Sequence, residues 1–142
     1  MEPGEAVARC LSRPLDLGGR APLGELWWFA LAVTMAALVA LALDRALFPS
    51  GRLVLVWFTA GALAVPLASA IVRRLHDTGR SGLWALLALV PFLGVPLLAA
   101  LCVFESELGR NRYGPDPLEG EAPARTWPDD RLRSVVEWGE RR

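Results

Sequence analysis

At 142 residues, 54% of them hydrophobic and with a mean hydropathy of +0.36, the chain carries more apolar surface than a soluble domain of this size can hide. Its 15 basic residues, all Arg, cancel its 15 acidic ones, so net charge gives no ground for a nucleic-acid partner or an acidic substrate. Cys10 in a polar stretch and Cys102 in an apolar run read as free thiols, because pairing them would draw Cys10 into a membrane.

In chain order, residues 1–25 form a polar leader. Apolar segments follow at 26–43, 53–72 and 83–104, with no ionisable side chain among them other than Cys102. Each approaches the roughly 20 residues that carry a helix across about 30 Å of hydrocarbon. The fold expected is all-α: an integral membrane helical bundle with three transmembrane helices over 26–104. Ala40-Leu41-Ala42 resembles a signal-peptide cleavage site, but the apolar run and the leader before it are both too long, so cleavage is not expected. Trp27, Trp28, Trp57 and Trp84 near the segment starts suit interfacial anchors. Ala32, Ala36, Ala40 and Ala60, Ala64, Ala68 give two spans a small-residue stripe. The short charged breaks at 44–52 and 73–82 suit antiparallel neighbours.

The third segment presents a fork. Pro91, Gly94 and Pro96 fall at its middle, where a helix would kink or turn back as a re-entrant hairpin. A kinked full span is favoured, since a re-entrant turn bares backbone unless protein or water covers it. Residues 105–142 form a polar, Pro-rich and partly disordered tail. Its last stretch, 129–142, places Leu132, Val135, Val136 and Trp138 near helical spacing for a short surface helix.

Three polar motifs stand out against this background: Gly19-Arg20 with Glu25, RRLHDTGRSG at 73–82, and NRYGPDP at 111–117. Arg20, Glu25, Arg73, Arg74, His76, Asp77 and Arg80 make the candidate polar cluster. On a continued second helix, Arg73, Asp77 and Arg80 would share one face and the carboxylate would bridge two guanidiniums. Thr78-Gly79 would end that helix, and Ser81 would cap the next. Such an elbow fits a topology signal or, by Arg's planar fork, an anionic headgroup site. In the tail, Asn111, Arg112, Tyr113 and Asp116 read as a rigid stop, or as a strap folding back so that Asp116 or Asn111 meets an arginine.

Together the motifs resemble the DUF805 family of small bacterial inner-membrane proteins of unassigned function. Its leading motif, GRxxRxEYW, is matched by Gly19, Arg20, Glu25 and Trp27, with Leu23 and Leu26 where the family has Arg and Tyr. The central and tail motifs are complete, and the resemblance covers about residues 15–117. It implies a multi-pass protein of the bacterial inner membrane and supplies no activity.

With three full spans, Arg9, Arg13, Arg20, Arg73, Arg74 and Arg80 share one side against Arg45, Arg52, Arg110 and Arg112, which favours a cytoplasmic N-terminus. One His and no clustered soft ligands give no metal site, and spans without buried carboxylate, His or Lys argue against catalysis and cofactors. A non-enzymatic structural or anionic-lipid-interacting membrane protein is expected, as a homo-oligomer or with a partner membrane protein. The alternatives are a subunit of a small oligomeric transporter or channel, with Thr34, Thr59 and Ser69 as its in-span polar groups, and an enzyme acting on a lipid phosphate.

Overall fold

Residues 2–118 are described by a computed structural model; the surface helix expected over 129–142 lies outside them. Within the leader, helix α1 spans Pro3–Ser12. Pro3 stands at its first position, where a missing N–H is harmless, and Glu5 and Arg9 sit at the dipole ends that favour them. Ala6 and Cys10, one turn apart, are fully buried as α1 packs on the two long helices that follow.

Those helices are α2, Leu23–Leu47, and α3, Val54–Asp77. At 1.5 Å per residue each is about 36 Å long, enough to cross a bilayer. The most apolar windows of α2 and α3 have mean hydropathies of 2.2 and 2.0, yet only 17% of each window is buried. Helices of a soluble core would be mostly covered, so this outward apolar surface calls for lipid around it. Trp27, Trp28 and Trp57 are among the exposed side chains. The two helices pack against each other, joined by a short turn that Asp44 organises. Its buried carboxylate accepts from the backbone N–H groups of Leu55 and Val56, both at 2.9 Å, capping the start of α3 from the neighbouring helix. Of the alanine stripes, Ala32, Ala36 and Ala40 are partly or fully covered, whereas Ala60, Ala64 and Ala68 face outward on α3.

The third apolar segment departs from the favoured full span. It forms a 3-10 helix, Gly82–Leu89, and a ten-residue helix α4, Gly94–Val103, packed side by side. Its two ends return to the same end of α3: Gly82 lies against Val72 and His76, and Cys102 and Phe104 offer their carbonyls to Arg74. The segment is a hairpin, and α2 and α3 are the helices of spanning length among the described residues. Its turn follows from the residues that left the fork open. Pro91 cannot continue a helix, and Phe92 takes a left-handed φ of 63° at the tip. Gly94 lets the two arms of the hairpin touch, since a Cβ there would sit 1.8 Å from the Leu87 carbonyl oxygen.

The buried apolar residues, Leu26, Phe29, Ala70, Leu75 and Leu98 with Cys10 and Cys102, gather around the C-terminal end of α3. Both cysteines are free. The protein is therefore best packed where its chain is most charged.

Candidate functional site

α3 runs on through Arg73–Asp77 before it stops, and its stop is a Schellman motif. Gly79, at φ 72°, donates to the His76 carbonyl, and Arg80 N–H donates to the Leu75 carbonyl. Ser81 Oγ then accepts from Leu83 N–H at 3.3 Å, starting the hairpin.

The last turn of α3 aims its polar side chains in three directions. Asp77, wholly buried, bridges two guanidiniums, but these belong to Arg20 and Arg74, not to Arg73 and Arg80 as helical spacing suggested. Arg20 Nε donates to Asp77 Oδ1 at 2.8 Å, while Arg74 and Ser106 Oγ both donate to Asp77 Oδ2. Arg73 instead turns to Glu25 on α2, with Nη1 2.7 Å from Oε1, and lies against Cys10 of α1. Arg80 stands apart, its guanidinium 4.4 Å over the Phe104 ring.

Three buried guanidiniums thus face two carboxylates. The remaining positive charge meets backbone carbonyls. Arg74 donates to those of Cys102 and Phe104, which a helix C-terminus leaves unsatisfied and partly negative, and Arg20 donates to those of Glu107 and Gly109. Charges buried this deeply persist when their donors find acceptors; among the described groups Arg73 Nε and His76 Nδ1 are buried without a hydrogen-bond partner.

Residues 105–117 form a strap across the end of α3. Glu107 N–H donates to the Asp77 carbonyl at 2.9 Å, and Asn111 Nδ2 donates to the His76 carbonyl at 2.9 Å, so the strap supplies α3 with caps from far along the chain. Tyr113 stacks on the His76 ring at 3.8 Å and 5°, and Arg112 lies 4.6 Å over Tyr113. The strap meets Arg20 through its backbone and Arg74 through Ser106 Oγ, at 2.9 Å, not through Asp116 or Asn111. Asp116 accepts from Gly109 and Leu118 N–H and holds the strap's own turn. Nothing in the sequence marks Ser106 or the 107 and 109 carbonyls as partners, because backbone acceptors carry no residue signature. Cys10 was equally unmarked. Its burial, and then the Glu25 carboxylate beside it, push its thiol up from 9.0 to about 11.

The profile described as "Protein of unknown function (DUF805)" matches residues 14–115, which include every residue of this site named above except Cys10, Asp116 and Leu118. The chain belongs to the DUF805 family. Two proteins of Escherichia coli K12 are similar to it. "Inner membrane protein YhaH" is 36% identical over 112 residues, 77% of this chain and 93% of that protein. "Inner membrane protein YhaI" is 49% identical over 59 residues, 42% of this chain, so the chain spans about half the length of that relative. No solved structure matches. The DUF805 chain is thus a helical membrane protein with inner-membrane relatives, and its three polar motifs converge at one end of α3.

Proposed function

We propose that this DUF805 protein is a non-enzymatic, multi-pass structural component of the bacterial inner membrane, with its N-terminus and its strap in the cytoplasm. The observation that carries this is the inward-turned cluster. Arg20, Glu25, Arg73, Arg74 and Asp77 are each 9% exposed or less, and their charges are spent on one another and on backbone carbonyls. Such groups hold helices together and offer no open face to a substrate. His76 has its ring covered by Tyr113. Of the hydroxyls considered for a channel, Thr34 bonds its own helix and Ser69 bonds the Asp16 carbonyl of the leader.

The hairpin supports this orientation. With the strap returned to the leader's side, Arg9, Arg13, Arg20, Arg73, Arg74, Arg80, Arg110 and Arg112 lie there against Arg45 and Arg52 opposite, and the bias toward the cytoplasm becomes eight against two.

Single cysteines at Ser50, Arg80 and Asp116, in a chain with Cys10 and Cys102 replaced, test this with a membrane-impermeant thiol reagent. Position 50 should label in intact cells, and 80 and 116 only after lysis. Labelling at 116 without lysis overturns the orientation. For the non-enzymatic role, a His76→Gln chain should restore any deficit of a deletion strain, and failure of rescue by a stably inserted His76→Gln chain refutes it.

A further inference from the structure

The buried residues of the two long helices are placed unevenly along them. Every buried position of α3, from Pro66 to Asp77, lies in its C-terminal half, and α2 buries Glu25, Leu26 and Phe29 in the half that faces it. Toward the other end α2 buries Ala40 and Asp44, while Trp57 and Phe58 of α3 point outward, 74% and 76% exposed.

The reach of the hairpin accounts for this. Gly82–Leu89 extends about 16 Å at ~2.0 Å per residue, and Gly94–Val103 about 15 Å at 1.5 Å per residue, against about 36 Å for α2 or α3. Both arms lie along α3 and are rooted at its Asp77 end, where Gly82 meets Val72 and the Cys102 carbonyl meets Arg74. The tip at Phe92, 96% exposed, therefore stops near the middle of a hydrocarbon layer about 30 Å thick. The leader thickens the same half. Ser69 Oγ donates to the Asp16 carbonyl at 2.6 Å, about 12 Å along α3 from Asp77, and Leu15 and Leu17 beside it are 78% and 55% exposed.

Among the described residues, one half of the molecule thus holds four helical elements and the turn of the leader, and the other holds α2 and α3 alone. Close-packed side chains do not compress, so the extra cross-section displaces lipid from one leaflet only. The two leaflets then keep equal packing by bending. We infer that the protein is a leaflet-specific wedge that gathers on membrane curved convexly on the side of its strap. Its partner is a curved bilayer, recognised by shape. The wedge goes beyond the structural role proposed above, and only the sense of bending in the cell, convex toward the cytoplasm, rests on the orientation given there.

The test places the full chain in giant vesicles from which thin membrane tethers are drawn, with a dye on Ser50→Cys and with Cys10 and Cys102 replaced. The fraction of dye removed by a membrane-impermeant quencher gives the orientation in each vesicle. With the strap outward, dye density on the tether should exceed that on the vesicle body, and the ratio should climb as the tether is thinned. With the strap inward, the ratio should fall below one. A ratio of one in both orientations overturns the wedge, as does a ratio above one in both, since that attraction would be blind to sidedness. Hairpin depth is read separately in flat bilayers from a fluorophore on Phe92→Cys or Leu83→Cys. The first should be quenched more by nitroxides deep in the acyl chains, the second by nitroxides near the headgroups; quenching of both from the same shallow depth overturns the wedge. A chain that sorts with opposite sign in the two vesicle orientations, yet labels at Asp116 in intact cells, keeps the wedge and refutes the orientation alone.

Discussion

Asp77→Ala is the perturbation that most directly probes the buried cluster. It removes the carboxylate shared by Arg20 and Arg74, whose side chains are each 1% exposed, and leaves two guanidiniums facing each other across a small void. Removing one partner of a buried ion pair costs about 3–5 kcal/mol, because the orphaned charge keeps its desolvation penalty and loses its compensation. The backbone carbonyls that Arg20 and Arg74 also engage should hold the loss toward the lower end. At ~1.4 kcal/mol per factor of ten, a loss of about 3 kcal/mol raises the unfolded fraction by roughly two orders of magnitude. Asp77→Asn, which keeps the volume and an acceptor but not the charge, should fall between Ala and the unaltered protein. The assay is a denaturing-detergent titration in mixed micelles followed by Trp fluorescence. The internal control is Arg13→Ala, since Arg13 and Asp16 meet at 4.0 Å with side chains 68% and 45% exposed, and exposed pairs contribute well under about 1 kcal/mol. An Asp77→Ala loss no larger than that of Arg13→Ala would refute the view that these charges are buried and mutually dependent.

Three further outcomes follow from the same geometry. Gly94→Ala should loosen the hairpin by about 1–3 kcal/mol, because its Cβ would meet a backbone oxygen that no side-chain motion can displace, and the same titration reads it. Asp44→Ala should uncap α3 at a cost of about 1–2 kcal/mol, with faster hydrogen exchange confined to the amides of its first turn, Leu55 and Val56 among them. Cys10 should resist thiol reagents at pH 7.5 in the folded protein: with its thiol up at about 11, only about one molecule in three thousand is thiolate. Its raised value favours the folded state below pH 9.0, and that contribution is lost as pH climbs from 9.0 toward 11. Glu25→Gln should make Cys10 react faster, measured as label incorporated over time before unfolding.

Much of the fold was legible because the bilayer asks a simple question of sequence, namely whether about 20 apolar residues run together. α2 and α3 answer it plainly, and Thr78-Gly79 and Ser81 mark their helix boundaries by local chemistry alone. The hairpin was the less favoured branch, because 22 apolar residues with Pro91, Gly94 and Pro96 fit a kinked span, which leaves less backbone bare, as well as a folded-back pair. What selects the hairpin is remote: Arg74 takes the α4 carbonyls and Arg20 takes the strap, contacts that no periodicity encodes. The partner of Asp77 was misassigned for the same reason. Helical spacing offers Arg73 and Arg80, but Glu25 draws Arg73 away and Arg20 arrives from 57 residues upstream. α1 escaped notice because its buried face is one small residue per turn, Ala6 and Cys10, too faint a stripe to distinguish from a polar leader.

The strap that caps α3 also orders events during synthesis. The Arg20 guanidinium meets the Gly109 carbonyl across 89 residues of chain, so at about 5–20 residues per second a nascent protein waits roughly 4–18 s for that acceptor to be made. Once α3 is made, Arg74 waits for the carbonyls of residues 102 and 104, and the end of the helix waits for the caps that Glu107 and Asn111 bring. A chain halted before residue 105 would therefore reach the membrane with span-length helices and its three buried ion pairs, but with Arg20 short of the strap carbonyls and the end of α3 uncapped.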